Sequence, residues 1–201
     1  MKKEGARLLQ TDIDLIGRIL KGEAAAFRDL VENNQQKIYY LSLDLTGNHH
    51  DAEDLSQEVF IKAYQNLSQF RGESSFSSWL YKIAVHTNIN NNRKKMTAAI
   101  KKSRNIDTMH NLQGNDNAAS NPERQTDSRL LGKYIDRAMD RLSINERCVF
   151  VLKHHQHIPM QEIAQIMDIS VGTVKSTLFR AVRKMRRELS FYRNKEMGGA
   201  A

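Results

Sequence analysis

IPMQEIAQIMDISVGTVKSTLFRAVRKMRREL, residues 158–189, contains two short runs of apolar residues at helical spacing with a tight turn between them. The runs extend from Met160 to Met167 and from Gly172 to Met185, and Asp168, Ile169, Ser170 and Val171 separate them. Pro159 stands where a first-turn proline is tolerated, because the N–H it lacks has no helical partner there. Ala164 is small enough for two helices to cross closely, and Ile163, Ile169 and Val174 fill the angle between them. Asp168 takes the turn position where glycine is common, since aspartate tolerates a left-handed backbone better than most residues. The stretch is predicted to be a helix-turn-helix. Its second helix carries Thr173 in its first turn and crowds Lys175, Ser176, Thr177, Phe179, Arg180, Arg183, Lys184, Arg186 and Arg187 onto one short element. Such donors suit phosphates and base edges in a major groove. From Met160 to Lys195 there are eight basic residues and three acidic ones, a bias that alone describes a solvated helix equally well.

The same periodicity continues upstream. Leu131, Ile135, Ala138 and Leu142 form one apolar face, and Ser143-Ile144-Asn145-Glu146 has capping-box spacing ahead of Ile144, Cys148, Val151 and Leu152. Further back, Ile38, Leu41 and Leu45 form a stripe ending at Gly47, and Leu55, Val59, Ala63 and Leu67 form another ending near Gly72. Phe76, Leu80, Ile83 and Ala84 begin a third, with Ser74 or Ser75 placed to cap it. Between the two groups, residues 97–127 lose the pattern and turn rich in Asn, Asp, Ser and Gly, which reads as a linker. The expected architecture is all-α: a helical domain at 11–96, a flexible linker at 97–127 and a second helical domain at 128–195. Each domain is small enough to be marginally stable alone.

A formal charge of +8 favours a polyanionic partner without choosing between nucleic acid and an acidic membrane. No apolar run is long enough for a signal peptide or a membrane span, so a cytoplasmic protein without direct membrane insertion is expected. The single cysteine, Cys148, excludes an intrachain disulfide and reads as a small buried hydrophobe. His154, His155 and His157 lie near it in sequence, but adjacent His154 and His155 point to different helix faces, and no metal or other cofactor is expected.

Charge is unevenly distributed. From Leu41 to Ile61 there is no Lys or Arg, while Asp44, Asp51, Glu53, Asp54 and Glu58 are acidic, so this helix repels DNA and suits a basic protein surface. FRGESSFSSWLYKIAVHTNINNNRKK, residues 70–95, then interleaves Phe70, Phe76, Trp79 and Tyr81 with Arg71, Lys82, Arg93, Lys94 and Lys95. Aromatic faces stack on unpaired bases and cations follow phosphates, the chemistry of single-strand capture, although Phe76 and Trp79 also suit a core. Asn88, Asn90, Asn91 and Asn92 add possible donors to bases or sugars.

DAEDLSQEVFIKAYQNLSQFRGESSFSSWLYKIAVHTNINNNRKK, residues 51–95, resembles regions two-point-one to two-point-four of extracytoplasmic-function (ECF) sigma factors of the sigma-70 family, and residues 158–189 resemble their region four. The resemblance implies an alternative sigma factor that binds core RNA polymerase through the beta-prime clamp helices and the beta flap, and directs it to promoter DNA. Asp51, Glu53, Asp54, Leu55, Gln57 and Glu58 match the clamp-binding segment. Arg71, Gly72, Glu73, Ser74, Ser75, Phe76, Trp79, Lys82, His86, Asn90, Arg93 and Lys94 fall in the part that reads the minus-ten element, including a flipped non-template base. Thr173, Lys175, Ser176, Thr177, Phe179, Arg180, Arg183 and Lys184 fall on the helix that reads the minus-thirty-five element. Family members often carry Asn in place of His86 and Asp in place of Asn90, which leaves the minus-ten base preference open. An anti-sigma factor is implied as a further partner, one able to hold the protein at the inner membrane. The alternative is a stand-alone helix-turn-helix regulator, which has no need of the acidic helix. No Walker loop or His-Glu zinc motif supports an enzyme.

Overall fold

Helix-stop and helix-start chemistry divides this chain more sharply than its hydrophobicity does. The computed structural model describes the backbone of residues 2–104 and 127–197 and the side chains of residues 11–101 and 131–190. Among the described residues the elements are α1 (Lys2–Leu20), α2 (Ala26–Thr46), α3 (His49–Gln65), a 3-10 turn (Leu67–Gln69), α4 (Phe76–Arg104), α5 (Asp127–Asp140), α6 (Ile144–His154), α7 (Met160–Met167) and α8 (Val171–Met197). Gly47 ends α2 at φ 81°, and its N–H donates to the Leu43 carbonyl. Asn48 then starts α3, its side-chain oxygen accepting the Asp51 N–H at 2.8 Å. Ser75 caps α4 by accepting the Ser78 N–H at 3.0 Å. The Ser143–Glu146 capping box is complete, and Asp168 closes α7 in the left-handed region at φ 53°. Ser170 accepts the Thr173 N–H at 3.1 Å, so α8 begins one residue before the expected Gly172.

The apolar stripes pack into one continuous hydrophobic core with a lobe in each half. Leu30, Ile38, Leu41, Val59, Phe76, Leu80 and Val85 are buried among α2, α3 and α4. Cys148, Val151, Leu152, Ile163, Val174 and Ala181 are buried among α6, α7 and α8. Two expectations need correction. Residues 97–104 are not linker: α4 runs on to Arg104, because Ala, Lys and Arg sustain a helix whether or not one face is buried. Asp127 likewise belongs to α5, while the rest of the expected linker, residues 105–126, lies outside the described residues. The face expected on α5 is only half used: Ala138 is buried, but Leu131 is 40% and Ile135 36% exposed. Ile144, at the start of α6, is exposed as well.

The two halves dock on one another. α6 lies against α2 and α4, and α7 lies along α4. Arg147 Nε donates to the Asp44 carbonyl at 2.8 Å, near the negative end of α2. That approach needs Gly47, where a Cβ atom would stand 2.7 Å from Arg147 Nη2. Buried Asn88 of α4 faces buried Cys148 of α6 at 4.0 Å.

Candidate nucleic-acid interface

On α3, Glu53, Asp54 and Gln57 are exposed and present the acidic face the sequence leads one to expect. Asp51 is held by Asn48 at 2.9 Å and by Lys95 at 2.9 Å, and these hydrogen bonds keep its carboxyl below the usual aspartate value. Glu58 sits between Lys62 at 2.8 Å and Asn91 at 2.7 Å. Burial pushes its pKa up, but the bonds from Lys62 and Asn91 outweigh that and leave it lowered. Leu55 is a correction: it is 3% exposed and belongs to the core, leaving no surface for a partner. Beyond Gln57 the helix face turns apolar, with Ile61 and Tyr64 exposed and Tyr64 edge-on to Phe27 at 4.9 Å. The sequence reading missed this patch because it followed charge along α3.

Ahead of α4, Arg71, Gly72, Glu73 and Ser74 form an exposed loop that turns at Gly72 with φ 72°. Ser75 is occupied as the helix cap. Phe76 is a second correction, since it is 2% exposed and cannot stack on a base. It anchors a cluster with Phe70 at 5.5 Å and Trp79 at 5.6 Å. Trp79 remains half-buried beside a surface hollow of about 290 Å³, where Lys82, His86 and Asn90 come together along one face of α4. Lys62, Asn66 and Gln69 complete the hollow from α3 and the turn after it, and none of them was singled out from the sequence. Arg93 and Lys94 continue along α4 and are exposed. Of the four asparagines, Asn90 alone is exposed: Asn88 is buried, Asn91 holds Glu58 and Asn92 donates to the Asn88 carbonyl at 2.9 Å.

Part of this face is covered. Ser78 donates to Glu162 of α7, and Tyr81 donates to Gln156 at 3.1 Å. Lys82 Nζ lies 2.7 Å from Asp168, and His86 Nε2 lies 3.0 Å from the Ile166 carbonyl. The second half therefore rests on side chains that the sequence assigns to strand recognition.

On α8 the arrangement is open. Thr173, Lys175, Ser176, Arg180 and Arg183 are exposed, and Phe179 is 69% exposed. Thr177 is a third correction, being buried and accepting a hydrogen bond from Arg180 at 3.0 Å. Lys184 is drawn inward, its Nζ 2.6 Å from buried Glu146. Burial raises the Glu146 pKa, but the bonds from Lys184 and Ser143 prevail and lower it. One carboxylate thus serves the α6 capping box and the α6–α8 junction.

Burial pushes the Cys148 thiol up to about 12, which makes it unreactive. Among the described residues no group of His, Cys, Asp or Glu is arranged to hold a metal ion, and no helix is long and apolar enough to cross a membrane.

This is an all-helical, two-part chain with an acidic helix in one half and a basic helix-turn-helix in the other. Residues 30–97 match the Sigma-70 region 2 family and residues 132–185 the Sigma-70, region 4 family. The chain is 35% identical over 179 residues to "ECF RNA polymerase sigma factor SigW" of Bacillus subtilis (strain 168), covering 87% of this chain and 94% of that one. It is 36% identical over 177 residues to "ECF RNA polymerase sigma-E factor" of Escherichia coli (strain K12), covering 85% and 90%. Its fold is similar to that of CnrH, solved in complex with the cytosolic domain of CnrY, with TM-score 0.62, 20% identity and coverage of 90% and 97%. It is also similar to RpoE in complex with the anti-sigma factor NepR from Bartonella quintana, with TM-score 0.60, 20% identity and coverage of 82% and 96%. The chain belongs to the ECF RNA polymerase sigma factors.

Proposed function

We propose that this sigma factor binds core RNA polymerase through the exposed acidic face of α3 and reads promoter DNA with two separate helices. The observation that carries this is the segregation of charge. Glu53, Asp54 and Gln57 face solvent on a helix whose acidic run excludes DNA, whereas Lys175, Arg180 and Arg183 face solvent on α8. Complementary charge steers the acidic helix to a basic protein surface, and the basic helix to duplex phosphates and base edges. Trp79, Lys82, His86 and Asn90 around the α4 hollow suit an unpaired base, by stacking and hydrogen bonding, once that face is free. The chain acts by binding and performs no catalysis itself. It works in the cytoplasm, and an anti-sigma factor is its natural antagonist, a partner class supported by the RpoE–NepR complex of similar fold.

Pull-down of core polymerase followed by run-off transcription tests the reading. Reversing charge at Asp54 together with Glu53 is expected to abolish capture of core polymerase while leaving the helical signal in circular dichroism unchanged. Normal capture by that double variant contradicts the assignment of α3.

A further inference from the structure

Two histidines cross the seam between the halves, each toward a carboxylate on the other side. His155, at the end of α6, places Nδ1 3.1 Å from Asp44 Oδ1 of α2. His86, on α4, places Nε2 3.3 Å from Asp168 Oδ2 in the turn after α7. Each half contributes one histidine and one aspartate. Since a carbonyl oxygen only accepts, His86 Nε2 carries a hydrogen and donates it to Ile166 O at 3.0 Å. We propose that the His155–Asp44 pair, beside the His86–Asp168 contact at the other end of the seam, forms an acid-strengthened clasp, which holds the halves together at low pH and releases them as pH rises.

The surroundings decide the sign. His155 faces Asp44 from α2 and Arg147 from α6, and His154 is its titratable neighbour in the chain. The hydrogen bond from Asp44 is the strongest influence and raises the His155 pKa above its ordinary 6.5, against the lowering by burial and by Arg147. His86 faces Asp168 across the seam, Lys82 from its own helix and Lys62 across the hollow from α3. Lys82 is itself bound to Asp168, so that carboxylate is shared between Lys82 and His86. When the halves part, His155 loses Asp44 and returns toward 6.5. Its stabilisation of the closed form is therefore complete below that value, and is lost as pH rises through the higher closed-form value. Histidine is the side chain whose charge changes in this range.

The regulatory consequence rests on the proposed function, because the closed form covers Lys82 and His86 on the α4 reading face. The clasp itself does not depend on that reading. Small-angle scattering from the full chain at constant ionic strength, from about pH 8.5 to about pH 5.5, tests it directly. The radius of gyration is expected to fall as the pH drops. His155→Gln and Asp44→Asn, neither in the polymerase or DNA set, are each expected to remove much of that fall, reducing the closed-to-open ratio severalfold at the acid end. Far-UV circular dichroism confirms that the variants are folded. A wild-type radius that does not change with pH overturns the clasp, and this result needs no variant. So does a His155→Gln curve that follows wild type. A chain that compacts in acid yet fails to capture core polymerase keeps the clasp and defeats the functional reading instead.

Discussion

The faces of α4 and α8 proposed to read DNA begin from the same kind of sequence, polar and basic with aromatics interspersed, and end in different situations. On α8, Lys175, Ser176, Phe179 and Arg180 lie open to solvent. On α4, Lys82 and His86 are held by Asp168 and by the Ile166 carbonyl of the other half. The contrast carries an order of events. On the proposed function, the duplex-reading helix needs no rearrangement before it meets DNA, whereas part of the strand-reading face stays covered until the halves separate.

The largest effect separates two phenylalanines. Phe76→Ala removes a fully packed side chain beneath the α4 face and is expected to cost about 3 to 5 kcal/mol of stability. Phe179→Ala, at a position 69% exposed, is expected to leave stability within about 0.5 kcal/mol and to act only on promoter binding. Chemical denaturation measures both, and a Phe179 variant as unstable as the Phe76 variant erases the distinction.

Glu146→Ala comes next. It leaves Lys184 without its partner and removes half of the capping box, so a loss of about 3 kcal/mol is expected. The linked pH dependence follows from the lowered Glu146 pKa. Its contribution is present above the ordinary carboxylate value and disappears as pH falls through the folded value, so acid denaturation of the Ala variant should show a shallower slope. An unchanged slope removes Glu146 from its place at this junction.

On DNA, Arg180→Ala is expected to weaken holoenzyme binding to intact promoter duplex by about 1 to 3 kcal/mol, measured by mobility shift. Asn90→Ala should leave that binding nearly intact and suppress strand opening, with rescue by a pre-opened bubble template. Equal permanganate reactivity of unpaired thymines with wild type and Asn90→Ala contradicts the assignment of α4.

The smallest effect is Asp168→Asn, which keeps a residue tolerant of the left-handed turn and removes the shared carboxylate. An exposed ion pair contributes at most about 1 kcal/mol, so the melting temperature should barely move while the population of open chain rises severalfold.

The helix-turn-helix, the capping box and the apolar stripes of α2, α3 and α4 were legible because burial leaves a 3.6-residue period and caps use few residue types. The far end of α4 was not. Residues 93–101 are exposed, so the period stops where burial stops, several residues before the helix does. Phe76 and Thr177 were misplaced for a related reason, since an aromatic or a threonine in a polar stretch does not reveal which way it points. The seam was hard to see in the sequence because many of its contacts are made by polar residues such as Ser78, Lys82, His86, Gln156, Glu162 and Asp168, which ordinarily mark a solvated surface.

The central claim, that the free chain keeps the α4 face beneath α7 and uncovers it on polymerase, is tested most directly by one distance. Labels at Gln65→Cys on α3 and Arg187→Cys on α8, in a Cys148→Ala background, report the separation of the halves by energy transfer. A single short distance in the free chain that lengthens when core polymerase is added is the predicted result. The same distance distribution in both states contradicts it.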